Sequence, residues 1–273
     1  MSVNGGGGRT SRCGPVRFVL DSPSVRILVS NDDGIGAPGL EALAAVLEKM
    51  GRVFVCAPES ARSGSSSSLT LHEPLQVRRL GPRRWSVRGN PADAVKIALR
   101  ELLPAPPDLV VAGINDGLNC GVNILYSGTV AAALEGAQYG IPSFALSRRQ
   151  SGGAGFREEA LRALRLVRGL HALRPREAVV FNINFPGGTP KGIRVTVAEP
   201  APYRDRYHRR RDPRGRVYYW LSGEPPRRLR LDGRATDEWA VSRGYVSVTP
   251  LRRDLTDRDL LGDLERGIGT LAL

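Results

Sequence analysis

The chain has 273 residues, 41% of them hydrophobic and 25% charged, which is enough for a sizeable core and excludes wholesale disorder. Its net charge is +13, and of its 40 basic residues only Lys49, Lys96 and Lys191 are lysine. A basic surface can attract nucleic acid, but the arginines are spread along the chain, which argues against nucleic acid as a partner.

Residues 1–24 are glycine-rich and unpatterned, so a mobile extension is expected there. They lack the continuous apolar stretch of a signal peptide. No later run approaches the roughly 20 apolar residues needed to span a bilayer, so a soluble, cytoplasmic protein is expected. Val25 to Ser30 has the composition of a fully buried strand. Leu40, Leu43, Ala44 and Leu47 then recur at helical spacing, with Pro38 suited to the first turn. A second strand is predicted over Val53 to Cys56. The serine-rich loop ESARSGSSSS follows, then strand-like pieces in LTLHEPLQVRR and RWSVRG.

Further along, the pattern predicts a helix over Pro91 to Leu103, a buried strand over Asp108 to Ala112 and a long loop from Gly113 to Tyr126. A helix over Gly128 to Tyr139, a strand over Pro142 to Ser147, a helix over Phe156 to Leu170 and a strand over Ala178 to Asn184 complete the series. Strands alternating with helices imply an α/β fold with a mostly parallel sheet covered on both faces. After Pro186 the pattern changes. Short extended pieces, arginines and the turn Asp212-Pro213-Arg214-Gly215 suggest a β-rich extension over 193–273, closed by a strand at Gly244 to Leu251 and a helix at Thr256 to Gly267. The predicted organisation is thus an extension (1–24), an α/β core (25–192) and a β-rich C-terminal part (193–273).

In an open parallel sheet, ligands bind beyond the carboxyl ends of the strands. Asn31, Asp32 and Asp33 follow the first strand, and Arg62, Ser63 and Gly64 follow the second. Asn115, Asp116, Asn119 and Asn123 follow the strand PDLVVAG, and Ser127, Gly128 and Thr129 open a helix. The donors are carboxylate, amide and hydroxyl oxygens, which suit Mg²⁺, Mn²⁺ or Ca²⁺ rather than zinc. Two adjacent carboxylates repel each other unless one is protonated or a cation is shared. Each piece alone has a plainer explanation: turn chemistry for the aspartates and Asn115, a solvated loop for the serines, an N-cap for Ser127. Their coincidence on one rim favours a site. A helix start bearing glycine also suits an anion.

Cys13, Cys56 and Cys120 form no CxxC pair and are expected to be reduced, structurally incidental thiols, although the glycine-rich surroundings of Cys120 suggest access. His72, His171 and His208 lie outside these loops, and only His72 adjoins one.

The segments ILVSNDDGIGAPGLEAL, CAPESARSGSSSSLTL, GNPADAVKIAL, PDLVVAGINDGLNCGVNILYSGTVAAALEG and GYVSVTPLRRDLT together resemble the SurE (survival protein E) nucleotidases, in the same order, over about residues 25 to 260. The resemblance implies a Rossmann-like, doubly wound fold whose C-terminal part extends and exchanges between subunits. It also implies a divalent-metal-dependent phosphomonoesterase acting on nucleoside monophosphates, and in some members on short polyphosphate. Carried over by motif, Asp32, Asp33, Ser63 and Asn115 would hold one Mg²⁺ or Mn²⁺ per subunit, and Asn119, Ser127, Gly128 and Thr129 would face the phosphate. The chain departs from the family at Gly121-Val122-Asn123, where an acidic pair is usual.

Two other classes compete. A phospho-acceptor domain also carries an acidic pair after its first strand, but it needs an aspartate where Ala112 and Gly113 stand. An arginine-rich nucleic-acid binder explains the charge and leaves the oxygen-rich rim unexplained. The aromatics Tyr203, Tyr207, Tyr218, Tyr219 and Trp220, crowded among arginines, fit either a solvated basic loop or a subunit contact. Family resemblance favours the contact, so a homodimer or homotetramer is expected, with residues 203–221 or the 256–267 helix crossing between subunits.

Overall fold

The structure is a computed structural model describing residues 25–150, 155–173, 179–224, 230–231 and 233–268. The expected N-terminal extension (1–24), with Cys13, lies outside the described residues. At the centre is β1 (Arg26–Ser30), hydrogen-bonded in parallel to β2 (Arg52–Pro58) on one side and β5 (Leu109–Asp116) on the other. The nine-stranded sheet continues outward from β2 to β4 (Arg84–Arg88) and the antiparallel edge β3 (Gln76–Gly81). From β5 it continues to β6 (Ser143–Arg148) and β7 (Val180–Phe185), then to β13 (Val246–Leu251) and β8 (Ile193–Val195). β13 runs antiparallel to β7 and parallel to β8.

Both faces of the central strands are covered, which explains their unbroken apolar runs. Ile27, Val29, Leu109 and Val111 point to a core shared with Leu40, Leu43 and Leu47 of α1 (Pro38–Leu47) and Ala160, Ala163 and Val167 of α4 (Arg157–Ala172). Leu28, Val110 and Ala112 point the other way. They meet Ala94 and Val95 of α2 (Pro91–Ile97), which continues as a wider turn over Ala98–Leu102, and Val130, Ala132 and Ala133 of α3 (Gly128–Gln138). α3 is built largely of glycine and alanine and so lies close on the sheet: a Cβ on Gly136 would come within 2.6 Å of Val110 Cγ2. That seating brings the start of α3 to the carboxyl end of β1.

Several boundaries differ from the sequence expectation. Only Gln76–Gly81 of the first strand-like piece pairs. Its earlier residues stay irregular, with Pro74 interrupting them and Thr70 tied to Asp93 through its N–H (3.0 Å) and hydroxyl (2.7 Å). β5 runs four residues past Ala112, and its register to β6 slips by one between Ala112 and Asn115. The slip is made at Gly113, whose φ of +132° and close approach to the Leu146 carbonyl oxygen (2.3 Å from a built Cβ) leave no room for a side chain. A short 3₁₀ turn, Gly121–Leu125, occupies part of the expected loop.

In the C-terminal part, β8 and β13 are strands of the main sheet. β9 (Arg204–Arg211) and β10 (Val217–Glu224) form a separate antiparallel ribbon, fully exposed on both strands, and β11 (Arg230–Leu231) pairs β12 (Arg234–Ala235). α5 (Asp237–Ser242) was not anticipated. Thr236 caps it, accepting from Trp239 N at 3.3 Å, and Asp237 and Glu238 fill its first turn, a legible start signal. The closing helix α6 (Arg258–Ile268) buries none of its residues.

Asp237 joins this part to the core. It is fully buried and accepts backbone N–H bonds from Gly121 (2.9 Å), Glu199 (3.0 Å) and Glu238 (2.8 Å). An unsatisfied buried donor costs roughly 1–3 kcal/mol. Asp237→Ala leaves three of them, so a loss of about 3 kcal/mol or more is predicted, read as a lower melting temperature and midpoint in urea.

Candidate active site

The strand order reverses at the centre of the sheet: the chain leaves β1 towards β2 and returns on the other side with β5. The crevice beyond the carboxyl ends of β1 and β5 is therefore the place where an open α/β sheet takes a ligand. Asn31, Asp32 and Asp33 follow β1, and Asn115 and Asp116 end β5.

Asn31 closes its own turn, accepting from Gly34 N (3.2 Å) and donating to the Gly34 carbonyl (3.0 Å). Gly34 has a φ of +102°, and a side chain there would press on the Ser60 backbone. This turn sends the next two carboxylates in fixed directions. Asp32 is buried at the start of α3, where its Oδ1 accepts a short hydrogen bond from the Thr129 hydroxyl and its carboxylate is also bonded by the Thr129 backbone. Burial raises its proton affinity, and the Thr129 bonds act against that rise. Asp33 is less buried. Desolvation, then the charges of Asp32 and Asp116, push its carboxyl up to about 6. Asp116 is itself paired at 2.9 Å with Arg148, which is nearly fully buried, stacks on Phe156 (3.5 Å) and donates to the Gly155 carbonyl (2.9 Å).

The loop after β2 is drawn in by Arg62 N, which donates to the Asp32 carbonyl at 2.7 Å. Ser63 is exposed on this loop. Asn115 turns its amide nitrogen to the Gly117 carbonyl (2.8 Å), so its oxygen is the end it can offer a cation. Asn119 is sewn to the sheet: its N–H donates to Asn184 Oδ1 (2.8 Å), its amide nitrogen to Ser147 Oγ (2.8 Å), and its carbonyl accepts from Asn182 (2.8 Å) and Asn184 (3.2 Å). Ser127 is the N-cap of α3, accepting from Val130 N at 3.1 Å, and Thr129 is bonded to Asp32, so both hydroxyls have partners within the chain. A Cβ on Gly128 would lie 2.7 Å from Asp32 Cβ and 2.8 Å from Ser65 Oγ, so the two side chains flank Gly128.

Among the described residues no three His, Cys, Asp or Glu side chains gather as a metal cluster. The donor set is two carboxylates and neutral oxygens. Cys120 is fully buried, its thiol pushed well above the usual range by desolvation and then by Asp237 and Glu238. This corrects the expectation of an accessible thiol. Cys56 is likewise buried and raised to about 12. His72 is exposed and His208 pairs with Ser222 (2.8 Å) on the ribbon. The side chain of Asn123, where the resemblance leads an acidic residue to be expected, bonds Tyr203. A hollow of about 430 Å³ lies along the ribbon between Arg204, His208 and Glu224, but it shares no residue with this rim. Sequence patterning did not single out Ser65, Arg148 or Asp237. Ser65 is hidden in a run of serines, and Asp237 is signalled only by the cap of a short helix.

The raised Asp33 carboxyl has a consequence for stability. Because its folded value exceeds the ordinary 3.8, the folded chain holds this proton more tightly than the unfolded chain, and stability from this group falls as pH rises from about 4 through about 6. In EDTA-treated protein, Asp33→Asn is predicted to raise the melting temperature by a few degrees at about pH 7.5, with the gain shrinking towards about pH 4. Scanning calorimetry over that range checks it.

Comparison with known proteins shows the family. The family described as "Survival protein SurE" matches residues 27–205. The chain is 44% identical over 251 residues to "5'-nucleotidase SurE" of Pelotomaculum thermopropionicum, covering 90% of this chain and 96% of that protein. It is 43% identical over 244 residues to "5'-nucleotidase SurE 1" of Thermus thermophilus, covering 87% and 95%. The crystal structure of the SurE protein from Aquifex aeolicus superposes with a TM-score of 0.79 at 38% identity, covering 89% of this chain and 99% of that one. Matching relatives over nearly its whole described length and sharing their fold, the chain belongs to the SurE family.

Proposed function

We infer that the protein is a nucleoside 5'-monophosphate phosphatase, a phosphoric monoester hydrolase releasing nucleoside and phosphate. The carrying observation is 40–44% identity to proteins named 5'-nucleotidase over about nine-tenths of the chain, joined to an acidic pair at the point where the strand order reverses. A phospho-acceptor domain or a nucleic-acid binder has no such support. On the same reading the enzyme is cytoplasmic; no described helix is long and apolar enough to cross a membrane. Short polyphosphate, which offers the same terminal phosphoryl group, is a second candidate substrate.

The donors fit a hard divalent cation: Asp32 and Asp33 supply charge, Ser63 a hydroxyl and Asn115 an amide oxygen. A bound Mg²⁺ or Mn²⁺ would offset the crowded carboxylates and the charge that develops on a phosphoryl oxygen. The chain's own residues do the rest. The start of α3 at Gly128 and the Asn119 amide orient the phosphate. Asp32 or Asp33 accepts the proton of the attacking water. Thr129 fixes the Asp32 carboxylate in one orientation.

Asp32→Ala and Asp33→Ala should each abolish phosphate release from nucleoside monophosphates while the protein stays folded, with Ser63→Ala and Asn115→Ala milder because neutral oxygens hold a cation less strongly. Phosphate release with EDTA, and on adding back Mn²⁺ or Mg²⁺, measures this. Unchanged turnover in either aspartate variant ends the assignment.

Assembly follows from the uncovered apolar surface. Tyr207, Tyr219, Trp220 and Leu221 on the ribbon and Leu260, Leu264 and Ile268 on α6 are all exposed, and a two-stranded ribbon is marginal in isolation. A homodimer or homotetramer, with the ribbon or α6 crossing between subunits, is expected from light scattering at micromolar concentration. A monomer mass with full activity would refute it.

A further inference from the structure

Arg148 ends β6 beside the rim and is only 3% exposed, so its guanidinium is almost wholly withdrawn from water. Its Nε donates to Asp116 Oδ1 (2.9 Å) and its Nη1 to the Gly155 carbonyl (2.9 Å), with the Glu159 carboxylate at 3.7 Å. The guanidinium lies over the Phe156 ring, and Phe156 is the N-cap of α4, so the cation stands at the positive end of that helix. A buried ion pair is seldom more stabilising than apolar side chains of similar size. Here the partner Asp116 is still 36% exposed, so stability alone does not account for the pair.

The position of Asp116 does. β5 lies between β1, which delivers Asp32 and Asp33, and β6, which delivers Arg148. Asp116 and Arg148 are direct partners in the β5–β6 register, so the arginine draws the carboxylate to the side away from β1. Even there its charge is felt at Asp33. Asp116 also directly follows Asn115, whose amide oxygen is free for a cation. A hard cation takes carboxylate oxygens readily, so an unrestrained Asp116 would compete for it. Charge counts as well. The carboxylates of Asp32, Asp33 and Asp116 outweigh a divalent cation by one negative charge, which would repel an incoming phosphate, and Arg148 cancels that excess.

We propose that Arg148 is a positioning residue that holds the Asp116 carboxylate towards β6, out of the cation's ligand set, and so keeps a coordination position and a balanced charge for the substrate phosphate. This rests on the phosphatase reading above and deepens it. Arg148 is buried and touches no substrate; it acts through Asp116.

The test compares wild type with Arg148→Met, Asp116→Asn and the double variant. Arg148→Gln, which keeps a donor for the Gly155 carbonyl, replaces the methionine variant if that one does not fold. Calorimetry measures the affinity for Mn²⁺ and, with Mn²⁺ bound, for inorganic phosphate, alongside kcat and KM for a nucleoside 5'-monophosphate. Arg148→Met should tighten Mn²⁺ binding about 10-fold and weaken phosphate binding about 10-fold, the scale of one uncompensated charge near the site, with KM raised in step. Asp116→Asn should leave Mn²⁺ affinity within about 3-fold of wild type, because a paired and partly exposed charge acts weakly. The double variant should return both affinities to the Asp116→Asn values, since the arginine then has nothing to hold. Movement of the two affinities in opposite directions is the mark of this role; loss of a mere support weakens both. Weaker or unchanged Mn²⁺ affinity in the arginine variant, a loss beyond about 10-fold in Asp116→Asn, or no recovery in the double variant would each overturn the assignment. So would failure of both arginine variants to fold, which shows a supporting role. If wild type hydrolyses no nucleotide, the phosphatase reading fails. Mn²⁺ and phosphate calorimetry on the same proteins still decides Arg148, so the two failures are told apart.

Discussion

Two carboxylates on adjacent residues, delivered together where a buried strand ends, set the terms for everything around them. Neither can move away, because β1 is locked between β2 and β5 and the Asn31–Gly34 turn fixes the chain beyond it. The surrounding chain responds differently to each. Burial raises the Asp32 carboxyl too, but the Thr129 hydroxyl and the helix start act against that rise. Asp33 is left with desolvation and two like charges, and its proton is held up to about 6. The third acidic group, Asp116, is paired with a buried arginine, yet its charge still adds to the rise at Asp33. Such an arrangement weakens the fold locally and is kept where charge has work to do.

What surrounds the pair is stiff. Side-chain amides serve as fasteners: Asn182 and Asn184 hold the Asn119 backbone, and Ser147 holds its side chain. Asp237 pins Gly121 from the other side, at a position where φ is +54° and a side chain would strike the Glu199 carbonyl. The loop between β5 and α3 is thus anchored at two points to different parts of the chain. A crevice built this way presents its donors already oriented, which lowers the ordering cost of binding a small anion.

The α/β alternation was legible because each central strand is buried on both faces and each helix carries one apolar stripe, so composition and period agree with the fold. The rim residues were legible for the same reason: the strand ends could be located, and the polar residues just beyond them could be listed. Three things were hidden. The slip in β5 depends on how Gly113 meets Leu146 across the sheet, which no local pattern encodes. Asp237 works through backbone groups far away in sequence. The distinction among the serines of 63–68 arises only when the loop is folded against α3, where one hydroxyl finds the Leu125 carbonyl and its neighbour finds nothing.

The β9–β10 ribbon carries a further consequence. Seven arginines stand between residues 204 and 216, each a point of attack for a trypsin-like protease, and in the single subunit all of β9 is exposed. Whatever surface covers the ribbon's tyrosines and tryptophan also removes these arginines from a protease's reach. If the covering surface is a second copy of the chain, as proposed above, survival against digestion would rise with the protein's own concentration, and its lifetime would become a collective property of the population rather than of the single chain.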